Sequence, residues 1–489
     1  MRIKKVIAIL ALGALVSCQS KESLNLSPVP SDSEGAALEA RTSDTPLTYL
    51  ADVDHDAWVS LVTLDERIEA CNPTQEELDR MSDKALAESI AHYPLNHLIL
   101  TYNDPEDFIR VLAEKSTLHQ EFVKRQNGAD ALVDLLDGAT LRMETDAVRT
   151  KGSELSFGEE MFLEHFAATK DFQSSLSEAK SRKLESFVKS KFIERMSEPE
   201  TFSDESLRPL LKMEAAPVLT PDVPEITQDA LLGTSVIYTL EGHYLSVRRY
   251  SELSQYEINY ITNSLSSDYP NATVVSPASA RYNCHSYAWY SRSTSNPYWI
   301  NAMNDSGVLQ LSRYWTNDAY ASCTESQAEF IYYANGDHSA VMRPDGKYIS
   351  KWGKGPVMIH NATYCPYNTS GRQYYRTKPY LPENTLRVSC SSNQSTNQLT
   401  TGVDYYFHID TYNPSVTYQW SLESHPSGPN PVEPTIIGTT TGTGTVYCVI
   451  FNTPGYYVVR ADAYGTKPDG SAIHINFGLV SCVAIPPMH

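Results

Sequence analysis

The feature that most limits how this chain can fold is an abrupt change of character near residue 231. Residues 21–230 carry 21 basic and 42 acidic side chains, whereas residues 231–489 carry 15 and 17. Tyrosine divides the other way, since of 31 only Tyr49, Tyr93 and Tyr102 precede residue 231. A repeat array or a single uniform domain would not divide so. A length of 489 residues with 41% hydrophobic side chains is instead enough for two to four domains, each with a core. The net charge of −20 argues against a nucleic-acid partner, whose phosphates need a basic footprint.

The N-terminus reads Met1, Arg2, Ile3, Lys4, Lys5 and then an apolar run from Val6 to Val16, the charged and apolar regions of an export signal. That run is too short for a permanent membrane span, and no later stretch is long and apolar enough to be one. Leu15, Val16, Ser17 and Cys18 resemble a bacterial lipobox. The resemblance implies removal of residues 1–17 and acylation of Cys18, whose chains would hold the protein on a membrane at about 0.8 kcal/mol per buried methylene. Lys21 and Glu22 resemble the export tag of surface lipoproteins in Bacteroidetes, so the expected location is the outer membrane or cell surface. Residues 18–46, rich in Ser, Pro, Asp and Glu, read as a solvated tether. Seven cysteines remain after Cys18, an odd number that leaves at least one thiol over. No CxxC or Cys/His zinc spacing occurs, and neither a metal nor another cofactor is expected.

Residues 47–214 read as a helical bundle. Ser82 precedes an expected helix from Asp83 to His92 that Pro94 ends, and Asp104 with Pro105 opens another with Phe108, Val111 and Leu112 on one face. Asn127 and Gly128 read as a helix end, and Leu176, Leu184, Phe187, Val188 and Phe192 fall at helical spacing within an expected helix over 173–196. The charged outer faces are those of solvated helices. Ala215, Ala216, Pro217, Pro221 and Pro224 mark a linker over 215–231, and one more helix is expected from Glu252 to Leu265. From Leu381 onward short alternating runs dominate, at Asp404–Asp410, Val416–Leu422, Thr445–Phe451, Tyr456–Ala463 and Ala472–Ile485, which fit a β-sandwich. Gly438–Thr445 lacks a lysine and a strand–loop–helix setting, so it reads as a loop and not a phosphate cradle.

Tyr418, Gln419 and Trp420, with Asn452, Thr453, Pro454, Gly455, Tyr456 and Tyr457 further on, resemble the PKD or immunoglobulin-like modules of bacterial surface proteins. In such a sandwich Cys390 and Cys482 would be neighbours and could bridge.

The chemistry-bearing cluster lies between bundle and sandwich: Arg281, Tyr282, Asn283, Cys284, His285, Ser286, Tyr287, Ala288 and Trp289. Fifty-four residues after Cys284 comes His338, within Gly336, Asp337, His338, Ser339, Ala340, Val341 and Met342. Asn283 before a helix-compatible run places Cys284 at a helix start, and a Gly/Asp turn launches an apolar strand that begins at His338. A thiol beside an imidazolium is held as thiolate and attacks carbonyl carbon, the logic of a cysteine nucleophile with a histidine base. His285 is read as a rim residue, because helix neighbours point about 100° apart. Trp289, Trp299, Trp315 and Trp352 are the candidates for lining a substrate groove, and most of them are expected to be packing residues only. Cys323 and Cys365 flank His338 and could bridge loops around the cleft, and Cys71 and Cys448 are left unassigned.

Residues 275–370 resemble the papain-like fold of NlpC-type cell-wall peptidases and of cysteine- and histidine-dependent amidohydrolases. That resemblance implies Cys284 as nucleophile, His338 as base and a third, orienting residue on the returning strand Lys347–Ser350, where Ser350 stands. Serine cannot offset an imidazolium as a carboxylate would, so His360 or a backbone carbonyl is the alternative. It also implies an oxyanion hole at the Cys284 N–H, with Tyr282 and Asn283 lining the cleft.

The expected architecture is thus a multidomain α+β chain: a helical bundle (47–214), a papain-like α+β domain (232–380) and an Ig/PKD-like β-sandwich (381–489). The expected function is a lipid-anchored, monomeric cysteine hydrolase that cleaves amide bonds of cell-wall or other peptides. The rival is a surface-binding or adhesion lipoprotein whose papain-like domain is inactive.

Overall fold

The computed structural model describes residues 43–141, 154–213, 233–316, 318–378, 383–391, 398–424, 432–437, 441–442 and 444–487. The signal segment, Cys18 and most of the tether lie outside the described residues, as does the linker over 215–231. The chain is mixed α+β, with helices in its N-terminal half and several β-sheets in its C-terminal half. Among the described residues no helix is long and apolar enough to cross a membrane.

Capping explains where the main helices start. In α1 (Asp83–Ala91) the Ser82 hydroxyl accepts from the Ala85 N–H, and in α2 (Pro105–Lys115) the Asp104 carboxylate accepts from the Glu106 N–H beside a proline at the first turn. Phe108 and Leu112 of α2 are fully buried, each worth about 1.5–3 kcal/mol relative to exposure. Helix α3 (Phe157–Ala167) opens with a reciprocal Ser156–Glu159 capping box and is buried on every side, which makes it the centre of the bundle. Helix α4 (Glu178–Ser197) buries Leu184, Phe187, Val188 and Phe192 as their spacing requires, but it begins five residues later than expected because Lys170–Ser175 forms a separate short helix. Asn127 and Gly128 differ from expectation more sharply. They open a helix, Gly128–Gly138, instead of ending one, since the preceding helix already stops at Lys124.

Charge is also buried in the bundle. The Arg195 guanidinium of α4 lies 2.8 Å from the Glu164 carboxylate and 2.9 Å from that of Glu160, both on α3. Lys191, one turn earlier, reaches Glu160 at 2.9 Å. Burial raises the Glu164 carboxyl to about 7, whereas Glu160, equally buried, is held below the usual carboxylate range by Arg195 and Lys191.

Helix α5 (Gln255–Asp268) and a seven-stranded sheet follow. In chain order its strands are β1 (Thr273–Ser276), β2 (Tyr320–Ser322), β3 (Phe330–Tyr333), β4 (His338–Met342), β5 (Tyr348–Lys351), β6 (Val357–His360) and β7 (Arg372–Thr377). In space they run β1-β6-β5-β4-β3-β7-β2, with every neighbouring pair antiparallel. Because side chains alternate along a strand, the registers Tyr332↔Ser339, Val341↔Ile349 and Lys351↔Val357 put those residues on one face. Tyr333↔His338 and Tyr348↔His360 belong to the other face, which also carries Ser350.

Helix α6 (Cys284–Trp289) covers the first face. Its Trp289 packs with Phe330 and Tyr320, in a core that includes Val341, Ile300 and Leu311. The second face meets the helical half. Trp352, Met358, Tyr364, Cys365 and Tyr367 share one continuous core with α1, α2 and α3. Trp289, Trp299 and Trp352 are therefore packing residues, each at most 2% exposed.

Beyond residue 383 the strands form two sheets. One runs Glu383–Asn384, Ala472–Ile485, Gly455–Thr466, Val416–Ser424 and Thr441–Gly442, and the other Val388–Cys390, Asp404–Ile409, Val446–Ile450 and Thr435–Ile437. Trp420 stacks on Tyr447 between them, with ring centroids 5.5 Å apart. Cys482 lies near Cys390, yet the expected bridge is not made: Cys482 is a thiol that burial pushes up to about 12. The other expected bridge is not made either. Cys365 is a buried thiol in the helical core, and Cys323 is a thiol at the far edge of the sheet.

Candidate active site

Asn283 builds the entrance to α6. Its extended backbone caps the helix, with Oδ1 accepting from the N–H groups of Ser286 at 3.1 Å and Ile300 at 3.2 Å. Its Nδ2 donates to the Ile300 carbonyl at 2.7 Å and to Asn103 Oδ1 at 2.9 Å. The side chain is thus locked at four points. Cys284 follows as the first residue of the helix and is 0% exposed.

His285 turns toward the sheet. Its Nδ1 lies 2.8 Å from Ser339 Oγ, which also accepts from Trp289 Nε1 at 2.9 Å. Its Nε2 lies 3.2 Å from Asp337 Oδ1. Asp337 ends the β3–β4 turn with φ +42°, the one non-glycine residue with positive φ among the described residues. Aspartate tolerates that left-handed conformation better than most residues. The turn thereby aims its carboxylate back over α6. Burial alone would lower the His285 pKa, but the Cys284 sulfur and the Asp337 carboxylate outweigh it and push the ring up to about 10. The converse holds for Asp337, which burial would raise and which the imidazolium and the Asn103 amide hold below the usual carboxylate range.

A fourth residue comes from the helical half. Asn103, in the loop that enters α2, donates from Nδ2 to the Asp337 carbonyl at 2.7 Å and to Asp337 Oδ2 at 3.1 Å. The same nitrogen lies 3.5 Å from Cys284 Sγ and 3.1 Å from His285 Nε2. On the rim, burial and the Asp337 carboxylate push Asp107 up to about 7 despite its 2.9 Å ion pair with Arg110.

Of the residues singled out from the sequence, Asn283 and Cys284 are brought together here, and His338 and Ser350 are not. His338 starts β4 on the face away from α6, stacked on Tyr367 at a centroid distance of 3.8 Å. Both its ring nitrogens are buried without a hydrogen-bond partner, and burial, with His360 and His285 nearby, drives its pKa well below the ordinary value. It is a neutral ring. Ser350 bonds to His360 Nε2 at 2.8 Å and accepts from Trp352 Nε1 at 3.1 Å, so neither Ser350 nor His360 orients His338. The expected base and orienting residue therefore sit behind the sheet, and the reading of His285 as a rim residue is corrected by its burial at 0% exposure. Tyr282 faces Lys351, whose ammonium lies 5.1 Å above its ring. That lysine is fully buried, donates to the carbonyls of Ser279 at 2.8 Å and Gly353 at 2.6 Å, and is lowered by burial to about 7.

The residues missed in the sequence are His285, Asp337, Ser339 and Asn103. The Gly336–Asp337 pair was a visible turn signal, but nothing marked Asn103, 181 residues before Cys284. Among the described residues no group of three His, Cys, Asp or Glu side chains could hold a metal ion.

Residues 273–377 match a family described as a domain of unknown function, DUF7689. The match runs from the first residue of β1 to the last of β7, so it holds Cys284, His285, Asp337 and Ser339 and leaves out Asn103. No curated protein matches the chain.

Proposed function

We propose that the protein is a cysteine hydrolase that cleaves amide bonds, with Cys284 as nucleophile and His285 as the group that takes and returns the proton. The observation that carries this reading is the buried convergence of Cys284 and His285 on one point, with Sγ 3.5 Å and Nε2 3.1 Å from the same Asn103 nitrogen, and the Asp337 carboxylate 3.2 Å from the His285 ring. A nucleophile, a base within hydrogen-bond reach and a third group that orients the base make up the arrangement that acyl transfer needs. Ser339 fixes the ring through Nδ1, and Asp337 offsets the positive charge that forms on it. Asn283 Nδ2 supplies a donor for the developing oxyanion, in a water-poor site where such a donor is worth most. Attack by sulfur forms a thioester, protonation by His285 releases the amine, and water then frees the acid.

Within this reading the domain over 232–380 is a variant of the papain-like fold, with the base next to the nucleophile on the helix instead of on the facing strand. The two C-terminal sheets are a PKD or immunoglobulin-like module. The protein is exported and held on the outer membrane or cell surface through Cys18, and cell-wall or other peptides are its substrates. The full burial of Cys284 favours a second reading, a surface-binding lipoprotein with a silent middle domain.

Incubation with cell-wall digests and with blocked peptides, read by mass spectrometry, separates the two. Hydrolysis that is lost in Cys284→Ala and in His285→Ala supports the enzyme. Absence of any product that depends on Cys284, also from the opened variant described next, supports the binding protein.

A further inference from the structure

Asn103 does more than touch the site. Its side chain is a carboxamide, the functional group that a cysteine amidohydrolase acts on, and each of its polar atoms meets a partner that hydrolysis of such a group would require. Oδ1 accepts from Asn283 Nδ2 at 2.9 Å, the position of an oxyanion donor. Nδ2 lies 3.1 Å from His285 Nε2, the position of a leaving nitrogen facing its proton source. The two atoms lie 3.7 and 3.5 Å from Cys284 Sγ, close to the approach expected of reacting groups, roughly 3–3.5 Å. Three acceptors surround Nδ2, the Asp337 carbonyl at 2.7 Å, Asp337 Oδ2 at 3.1 Å and Cys284 Sγ at 3.5 Å, enough for both hydrogens of an NH2 group, whereas a substituted amide has only one hydrogen there.

The loop that carries Asn103 is fixed to the sheet on both sides. The Thr101 carbonyl accepts from Tyr367 OH at 2.8 Å, the Leu100 carbonyl accepts from the Lys354 N–H at 3.0 Å, and Tyr102 OH donates to the Pro366 carbonyl at 3.2 Å. Gly353, at φ +53°, has no room for a side chain because the Thr101 backbone lies against it. A substrate therefore cannot reach Cys284 while this loop is seated, in agreement with its 0% exposure.

From this arrangement we infer that the site is built for a primary carboxamide, such as the side chain of a glutamine or asparagine in a peptide, and that Asn103 occupies it as an internal substitute that keeps the intact chain latent. The inference rests on the Cys284–His285 reading. In the reaction, the Cys284 sulfur forms a bond to the carboxamide carbon and the C–N bond breaks. Ammonia leaves with the proton that His285 delivers, and water cleaves the thioester to a carboxylate and the free thiol. The sum is a carboxamide and water giving a carboxylate and ammonium, with no oxidant or metal required.

The test uses the full chain, as wild type, Asn103→Ala and Asn103→Ser, with two readouts. The first is the rate of Cys284 alkylation by iodoacetamide, followed by peptide mass spectrometry. The second is release of ammonia from a blocked glutaminyl dipeptide, compared with cleavage of a peptidyl anilide. Both variants are expected to alkylate at least tenfold faster than wild type, and to release ammonia in a reaction that Cys284→Ala abolishes, with the anilide left intact. Equal or slower alkylation in variants that melt like wild type overturns the role of Asn103 as occupant. Cleavage of the anilide without release of ammonia overturns the substrate class and leaves the hydrolase reading standing. Fast alkylation with no hydrolysis of either probe overturns the hydrolase reading and the substrate class together, and leaves only the occlusion.

Discussion

His285 Nε2 and Asp337 Oδ1 lie 3.2 Å apart, one on the first turn of α6 and the other at the tip of the β3–β4 turn, with the Cys284 sulfur beside them. The pair joins the two elements that define the site. It also sets the electrostatics of the site, because an imidazole with no exposed surface keeps its proton only while these two groups face it.

That coupling makes stability depend on pH in a definite direction. The folded pKa of His285, about 10, lies above the ordinary histidine value of 6.5, so the folded state holds this proton more tightly than the unfolded chain does. Its contribution is complete below pH 6.5 and is lost as pH rises through 10. The melting temperature of wild type should therefore exceed that of His285→Gln most clearly near pH 6, and the gap should close toward pH 10. A gap that widens with rising pH would contradict the assignment.

Asp337→Asn should separate charge from shape. Asparagine accepts the left-handed backbone that Asp337 adopts, so the turn survives while the carboxylate is lost. The His285 titration should then move down toward the ordinary histidine range, and in the opened Asn103→Ala background Cys284-dependent hydrolysis should fall by about 100-fold or more, the usual weight of general acid–base catalysis. A variant that keeps full activity would remove Asp337 from the mechanism.

In the bundle, Arg195→Ala should be among the most destabilising single changes. It leaves Glu160 and Glu164 buried without their shared guanidinium, at a cost of about 3–5 kcal/mol. Chemical denaturation measures it. Because α3 shares one core with the sheet, loss of this pair should unfold the helical half and the site in a single transition. Two separate transitions would contradict that common core.

How far the site was legible from the sequence turns on the parity of one strand. Asn283 and Cys284 could be read directly, because a polar cap before a helix-compatible run is a local signal. The choice between His338 and Ser339 could not. A strand buried on one face shows alternation of polar and apolar residues, whereas His338, Ser339, Ala340 and Val341 are all buried, under α6 on one side and on the other against Tyr367 and a cluster of Ile331, Tyr333 and Tyr348. A one-residue change in which face meets α6 exchanges His338 for Ser339, and nothing local to the strand records it. His285 was set aside on helix geometry alone. Neighbours 100° apart on a helix can still converge when the first faces the gap above the sheet and the second faces the sheet itself. Asn103 lay beyond reach for another reason, since its role comes from tertiary packing of a loop on a distant sheet. The bundle and the C-terminal strands were legible, within a few residues, from caps and periodicity, as α1, α2 and Ala472–Ile485 show. Asn127–Gly128 was misread because the same residues serve at either end of a helix.

The most direct measurement is the ring titration of each histidine by 1H–15N NMR, in wild type and in Cys284→Ala. Removing the sulfur should lower the His285 titration from about 10 and leave His338 neutral and unmoved across the range. A His338 signal that shifts with the loss of Cys284 while His285 stays in place would contradict the account, and would return the base to the strand.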